Sequence, residues 1–171
     1  MSLFWGMFFL CSFVIIQADA GLKEARTLFF AATNDDGVKR FYKETERLQG
    51  NSDLEKAYKG VATAMYASVV SSVFDKLSYF NKGKGLIEEA VRGSADNPEI
   101  RFLRFAVQAN TPAMLGYNGN LRDDSRFIIE ALEKGQADYK SDYWKKAIRF
   151  MQNSDKLDKS NKEKLNQMIS K

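Results

Sequence analysis

The chain has no histidine, one cysteine and two prolines among its 171 residues. Without histidine it lacks the commonest general base, the usual serine–histidine and cysteine–histidine nucleophile pairs, and imidazole metal ligation. The single cysteine, Cys11, lies inside the apolar run from Leu3 to Ile16. No disulfide can therefore close within the chain, and a protein of this size must be held by packing alone. The near absence of proline leaves few enforced helix breaks.

What is present is apolar and aromatic: 44% hydrophobic and 13% aromatic residues, a globular composition for one domain. The uncharged run Leu3–Ile16, followed by Ala18-Asp19-Ala20, reads as a signal-peptide core and an A-x-A cleavage site. The expected organisation is a signal peptide over residues 1–20, cleaved after Ala20, and a single helical domain over 21–171. The run is shorter than the roughly 20 residues that span a bilayer. Export to the periplasm or the extracellular space is the expectation, with an uncleaved anchor as the alternative.

Residues 21–133 carry 16 basic and 16 acidic side chains, whereas 134–171 carry ten and five. The positive excess sits in the tail. A solvated face is one reading of it and contact with an anionic surface another. Nucleic acid is not expected as a partner, since the tail lysines are mixed with Asp and Ser and the chain is expected to be exported.

Beyond residue 20 the apolar spacing is helical. Ala25, Leu28, Phe29 and Ala32 form one stripe; Val38, Phe41, Tyr42 and Leu48 resume it after a break at Asn34-Asp35-Asp36-Gly37. Ser52 and Glu55 have capping-box spacing, as do Ser160 and Glu163. Val69-Val70-Ser71-Ser72-Val73 predicts fraying or a bend. Asn97-Pro98 predicts a capped helix start. Stripes at Phe127–Leu132, at Trp144–Met151 and at Leu165, Met168 and Ile169 complete seven or eight helices joined by short turns, and no strand is needed. The expected class is all-α, a stack or irregular bundle of antiparallel helices.

Chemistry-bearing patterns are sparse. The acidic pairs Asp35-Asp36, Glu88-Glu89 and Asp123-Asp124 are sequence neighbours, which point about 100° apart on a helix and do not converge. An EF-hand built on Gly37 would put Ala32 and Lys43 at its terminal ligand positions. Gly83-Lys84-Gly85 lacks the phosphate-loop frame and reads as close backbone packing within a helix. No metal or cofactor is expected, and the chain reads as a non-enzyme.

One polar strip stands out. Arg101, Arg104, Gln108 and Thr111 follow at three, four and three along a helix otherwise covered by Phe102, Leu103, Phe105, Ala106 and Val107. The exit turn then supplies Asn110, Tyr117, Asn118 and Asn120, with Asn118-Gly119 suggesting positive backbone angles. Either the arginines pair with Glu88, Glu89, Asp123 or Asp124 and hold helices in register, or they line a concavity and accept a carboxylate, phosphate or peptide terminus. Arg101, Arg104, Gln108, Asn110, Tyr117, Asn118 and Asn120 are thus the candidate ligand or partner contacts.

Phe80, Gly83, Ile87 and Ala90, running into Asn97, resemble the second helix and exit turn of a tetratricopeptide repeat; the preceding helix lacks that repeat's Trp and Leu-Gly positions. LSYFNKGKGLIEEAV followed by NPEIRFLRFAVQANTPAMLGYNGNLRDDSRFI resembles small exported helical proteins of Bacteroidetes-type bacteria, over about residues 21–135. That resemblance implies an all-α envelope or periplasmic protein and gives no residue a catalytic role. The leading expectation is a helical scaffold that binds an envelope protein or peptide. A small-ligand or lipid binder using a cavity between helices is the alternative, and a carboxylate enzyme comes third.

Overall fold

The computed structural model describes residues 20–169; the apolar run and most of the expected signal peptide lie outside the described residues. The described chain is all-α: α1 (20–31), α2 (Asp35–Thr45), α3 (Asp53–Tyr66), α4 (Val73–Gly93), α5 (Pro98–Asn110), α6 (Leu121–Glu133), α7 (Asp142–Asn153) and α8 (Lys159–Ile169). A single 3-10 turn at Ala113–Leu115 sits between α5 and α6. Among the described residues there is no strand, and no helix is long and apolar enough to cross a membrane.

The starts of α2–α5, α7 and α8 follow from local side chains, with three departures from the sequence pattern, whereas Asn120 makes no side-chain cap at α6. The break after α1 is shorter than expected: Asn34 caps α2 by accepting from the Gly37 N–H at 2.9 Å, so Asp35, Asp36 and Gly37 form its first turn and place two acids at its positive end. Ser52 accepts from the Glu55 N–H as a capping box requires, but the Glu55 carboxylate reaches back one residue further, to the Asn51 N–H at 2.9 Å. At α8 it is Asp158, rather than Ser160, that accepts from the chain ahead, through the Asn161 N–H at 2.8 Å.

The stretch expected to fray or bend lies between two helices: α3 stops at Tyr66, residues 67–69 form a turn, and α4 begins anew at Val73, capped by Ser72. Asn97 caps α5 through both the Glu99 and Ile100 N–H groups, at 2.9 and 3.2 Å, with Pro98 in the first turn where its missing donor costs nothing. Asn97→Ala is expected to cost about 1 kcal/mol, read as a lower urea midpoint at unchanged slope, with Asn97→Ser retaining most of the stability.

α5 is the central element, packed against α3, α4, α6 and α7. Ile100, Phe102, Leu103 and Phe105 are fully buried there. Phe102 gathers an aromatic cluster, meeting Phe29 and Phe150 edge-on at 6.0 and 5.8 Å and stacking on Phe30, a geometry that adds to burial alone. α3 and α4 make the most extensive contact in the chain. A Cβ on Gly60 would lie 2.9 Å from the Gly83 carbonyl oxygen, and one on Gly83 would collide with the backbone of Ala64. The two helices approach that closely because both positions lack side chains.

Candidate functional site

The polar strip of α5 is built into a charge network between three helices. Arg104 forks onto Asp124 of α6, Nε donating to Oδ2 at 2.7 Å and Nη2 to Oδ1 at 2.8 Å, while Nη1 donates to Glu88 Oε2 of α4 at 3.0 Å. Burial works against the charge of Arg104, but the hydrogen bonds and charges of Asp124 and Glu88 outweigh it and hold the guanidinium pKa above its ordinary value. Tyr117 donates to the other Glu88 oxygen at 2.7 Å; its phenol is pushed upward by burial first and by the Glu88 carboxylate second. Arg101 Nε lies 3.0 Å from Asp124 Oδ1 without the alignment of a hydrogen bond, and its guanidinium sits 4.9 Å over the ring of Phe127.

Gln108 and Asn120 pair reciprocally: Gln108 Nε2 donates to Asn120 Oδ1, and the Asn120 N–H donates to Gln108 Oε1, both at 3.1 Å. Asn110 turns back to the Ala106 carbonyl at 2.9 Å and is exposed, as is Asn118. The fold thus joins Arg101, Arg104 and Tyr117 through Glu88 and Asp124, pairs Gln108 with Asn120 separately, and leaves Asn110 and Asn118 outside both groups. The left-handed residue of the exit turn is Gly116, at φ +61°, rather than Asn118 or Gly119.

A similar arrangement at the other end of α5 has no counterpart in the sequence patterns. Arg26 of α1 donates from Nε and Nη2 to the Glu99 carboxylate at 2.8 and 2.9 Å, and Tyr58 adds a third hydrogen bond at 2.6 Å. Burial first, then the neighbouring Tyr143 and the Glu99 carboxylate, hold the Tyr58 phenol well above its ordinary pKa. Apart from Arg101 Nε, the donors named in both networks are spent internally, and they tie helices together.

The open feature is elsewhere. An apolar groove of about 890 Å³ lies where the ends of α1, α3 and α5 meet the start of α4. Phe29, Val61, Ala64, Phe80 and Val107 form its buried floor. Val73, Leu77, Met114 and Leu115 form its mouth, and Phe74 stands beside Val73 on the same turn of α4. Val73 is 76%, Phe74 88% and Met114 92% exposed. Of the candidate contacts, Asn110 alone lines this groove, together with Thr111. The sequence signal that points to the mouth is Val73-Phe74 and Met114-Leu115, large apolar residues at a helix start and in a turn, where no buried stripe accounts for them.

Among the described residues no group of three or more acidic, histidine or cysteine side chains is arranged to hold a metal ion. No family model matches the chain, and neither a curated protein nor a solved structure matches it.

Proposed function

We propose that this chain is an exported, non-catalytic binding protein that takes an extended apolar chain, such as an acyl chain, into the groove between α1, α3, α4 and α5. The observation behind this reading is the groove: about 890 Å³, walled by aliphatic and aromatic side chains, within the roughly 300–1,000 Å³ range of small-ligand sites. Each methylene moved from water into such a space contributes about 0.8 kcal/mol, so ten of them give about 8 kcal/mol before ordering costs are subtracted. The periplasm or cell envelope, where the A-x-A segment would deliver the protein, is rich in such chains.

A protein or peptide partner is the second reading. The exposure of Phe74 and Met114 favours it, because both stand in solvent at or beside the groove mouth and would meet the apolar face of an amphipathic helix. The resemblance of the Phe80–Asn97 stretch to the second helix and exit turn of a tetratricopeptide repeat would belong with this reading.

The test is titration of the purified protein with a long-chain fluorescent fatty acid. Saturable binding is expected, lost in Leu77→Glu, which puts a charge into the groove wall at a position 48% exposed and so changes stability by only about 0.5 kcal/mol. Absence of saturable binding by the unmodified protein would sink the acyl-chain reading, and recovery of a crosslinked peptide at Phe74 instead would favour the second.

A further inference from the structure

Asn118-Gly119 belongs to neither charge network and to no helix, and it carries a chemistry of its own. Of the chain's asparagines only Asn118 is followed by glycine. The backbone nitrogen after an asparagine is a nucleophile within reach of the side-chain carbonyl carbon, and a Cβ on that following residue is the main steric obstacle to attack. Glycine has no Cβ. The fold leaves this pair free to react. Both residues are exposed, in the irregular stretch between the 3-10 turn and α6. Among the described residues no hydrogen bond holds the Asn118 side chain or the Gly119 N–H, and the place of a Gly119 Cβ is empty to 4 Å.

Comparable pairs elsewhere are blocked. Gly37, which follows Asp36, sits in the first turn of α2; its N–H donates to Asn34 Oδ1 at 2.9 Å, and the Ala31 carbonyl oxygen lies 2.9 Å from where its Cβ would stand. Ser154, which follows Asn153, carries a Cβ and donates its N–H to the Met151 carbonyl at 3.1 Å. Pro98, which follows Asn97, has no N–H at all.

We infer that Asn118 is a site of spontaneous modification, converted through a succinimide to isoaspartate, and that the fold passes this change on to the contacts holding the exit turn of α5. The Gly119 nitrogen gives up its proton and bonds to Asn118 Cγ; the Cγ–Nδ2 bond breaks and ammonia leaves. Water then opens the ring. Opening at the main-chain carbonyl gives isoaspartate, whose backbone runs through Cβ and Cγ, and opening at Cγ gives ordinary aspartate. One water is taken up and one ammonia released. The consequence comes from the flanking anchors. Tyr117 is buried and donates to Glu88 at 2.7 Å, and Asn120 is tied to Gln108 by two hydrogen bonds at 3.1 Å. An isoaspartate inserts one backbone carbon between them. With only Asn118 and Gly119 to absorb it, an anchor must give way, and the ties from the turn to α4 and α5 loosen.

The experiment ages the purified protein at physiological temperature and mildly alkaline pH, with peptide mapping by mass spectrometry at intervals. The peptide holding Asn118 is expected to gain one mass unit and separate into aspartate and isoaspartate forms, while those holding Asn51 and Asn153 stay unchanged over the same period. Gly119→Ala should slow the conversion by an order of magnitude or more. Its fresh fold should be unaltered, because the Cβ meets open space and Gly119 is not among the glycines at positive φ. The isoaspartate fraction is expected to melt roughly 4–8 °C lower, the shift that loss of about two hydrogen bonds implies. Asn118→Asp, which has the new charge without the extra carbon, should melt with the fresh protein. Asn118 left intact while a synthetic peptide of residues 114–122 is converted overturns the site, and aspartate as the sole product overturns the succinimide route. Isoaspartate at an unchanged melting temperature overturns the coupling to Tyr117 and Asn120.

Discussion

Replacing Arg104 with alanine is expected to lower the unfolding free energy by about 3–5 kcal/mol. The reason is the carboxylate it would leave behind. Asp124 has no exposed side-chain surface, and its two aligned hydrogen bonds from a side chain both come from Arg104. Arg101 remains 3.0 Å away, but its geometry does not supply a hydrogen bond. Glu88 loses one of its partners as well, keeping the Tyr117 hydroxyl. For a chain of this length each kcal/mol moves the melting temperature by roughly 2–4 °C, so a fall of about 6–20 °C is expected by circular dichroism. Tyr117→Phe removes a single hydrogen bond to a charged group and should cost about 1.5–3 kcal/mol. Replacing Arg104 and Asp124 together by Met and Leu should be less harmful than Arg104→Ala, because the fully buried carboxylate is removed with its partner and the charges that lose a partner, Arg101 and Glu88, are both partly exposed. Fatty-acid binding by Arg104→Ala, measured well below its melting point, should match the unmodified protein, since Arg104 does not line the groove. The opposite pattern, full stability with loss of anion binding, would make the strip a ligand site.

Local signals in the sequence carried the helices, and long-range ones were silent. Asn97-Pro98 and Ser52 announce their helices because a cap is satisfied by backbone groups two or three residues away. Phe80, Gly83, Ile87 and Ala90 announce a buried face because all four project to one side of α4, and all four are buried. Which acid Arg104 takes is not legible, since Glu88, Glu89, Asp123 and Asp124 differ only in the direction each faces after folding. Glu88 and Asp124 turn inward to Arg104, whereas Glu89 meets Lys56 at 2.8 Å and Asp123 meets Arg126 at 2.9 Å. The backbone turn after α5 misled for a related reason: Asn118-Gly119 has the stronger local preference, yet closing the 3-10 turn calls for the positive angle at Gly116. The groove was legible least of all. Its walls run from Phe29 to Phe150, and a concavity is the space that packing leaves unfilled, which no residue pattern encodes. Only its unexplained apolar rim leaves a trace in the sequence.

Two glycines two residues apart on α4 should respond to the same substitution with opposite signs. Gly85→Ala is expected to stabilise the protein by about 1 kcal/mol, the helix-propensity difference between the two residues, because a Cβ there meets nothing within 4 Å. Gly83→Ala gains the same propensity and loses more. Its Cβ would fall 2.5 Å from the Gly60 carbonyl oxygen and 2.8 Å from the Ala64 Cα, and these are backbone atoms of α3 that no rotamer change can move aside. α3 and α4 must separate, which loosens the most extensive helix contact in the chain and the packing of Ile87, whose side chain lies within 2.8 Å of where a Gly60 Cβ would stand. Overpacking of this kind costs about 1–3 kcal/mol and occasionally more, so the net change should be destabilising even after the propensity gain. The effect should also reach the groove, since Ala64 forms part of its floor on α3 and Phe80 faces it from α4. Fatty-acid affinity is therefore expected to change in Gly83→Ala and to stay constant in Gly85→Ala. Urea denaturation of the two variants beside the unmodified protein checks the signs. If Gly83→Ala proved as stable as Gly85→Ala, the close α3–α4 approach, and the groove geometry that depends on it, would have to be abandoned.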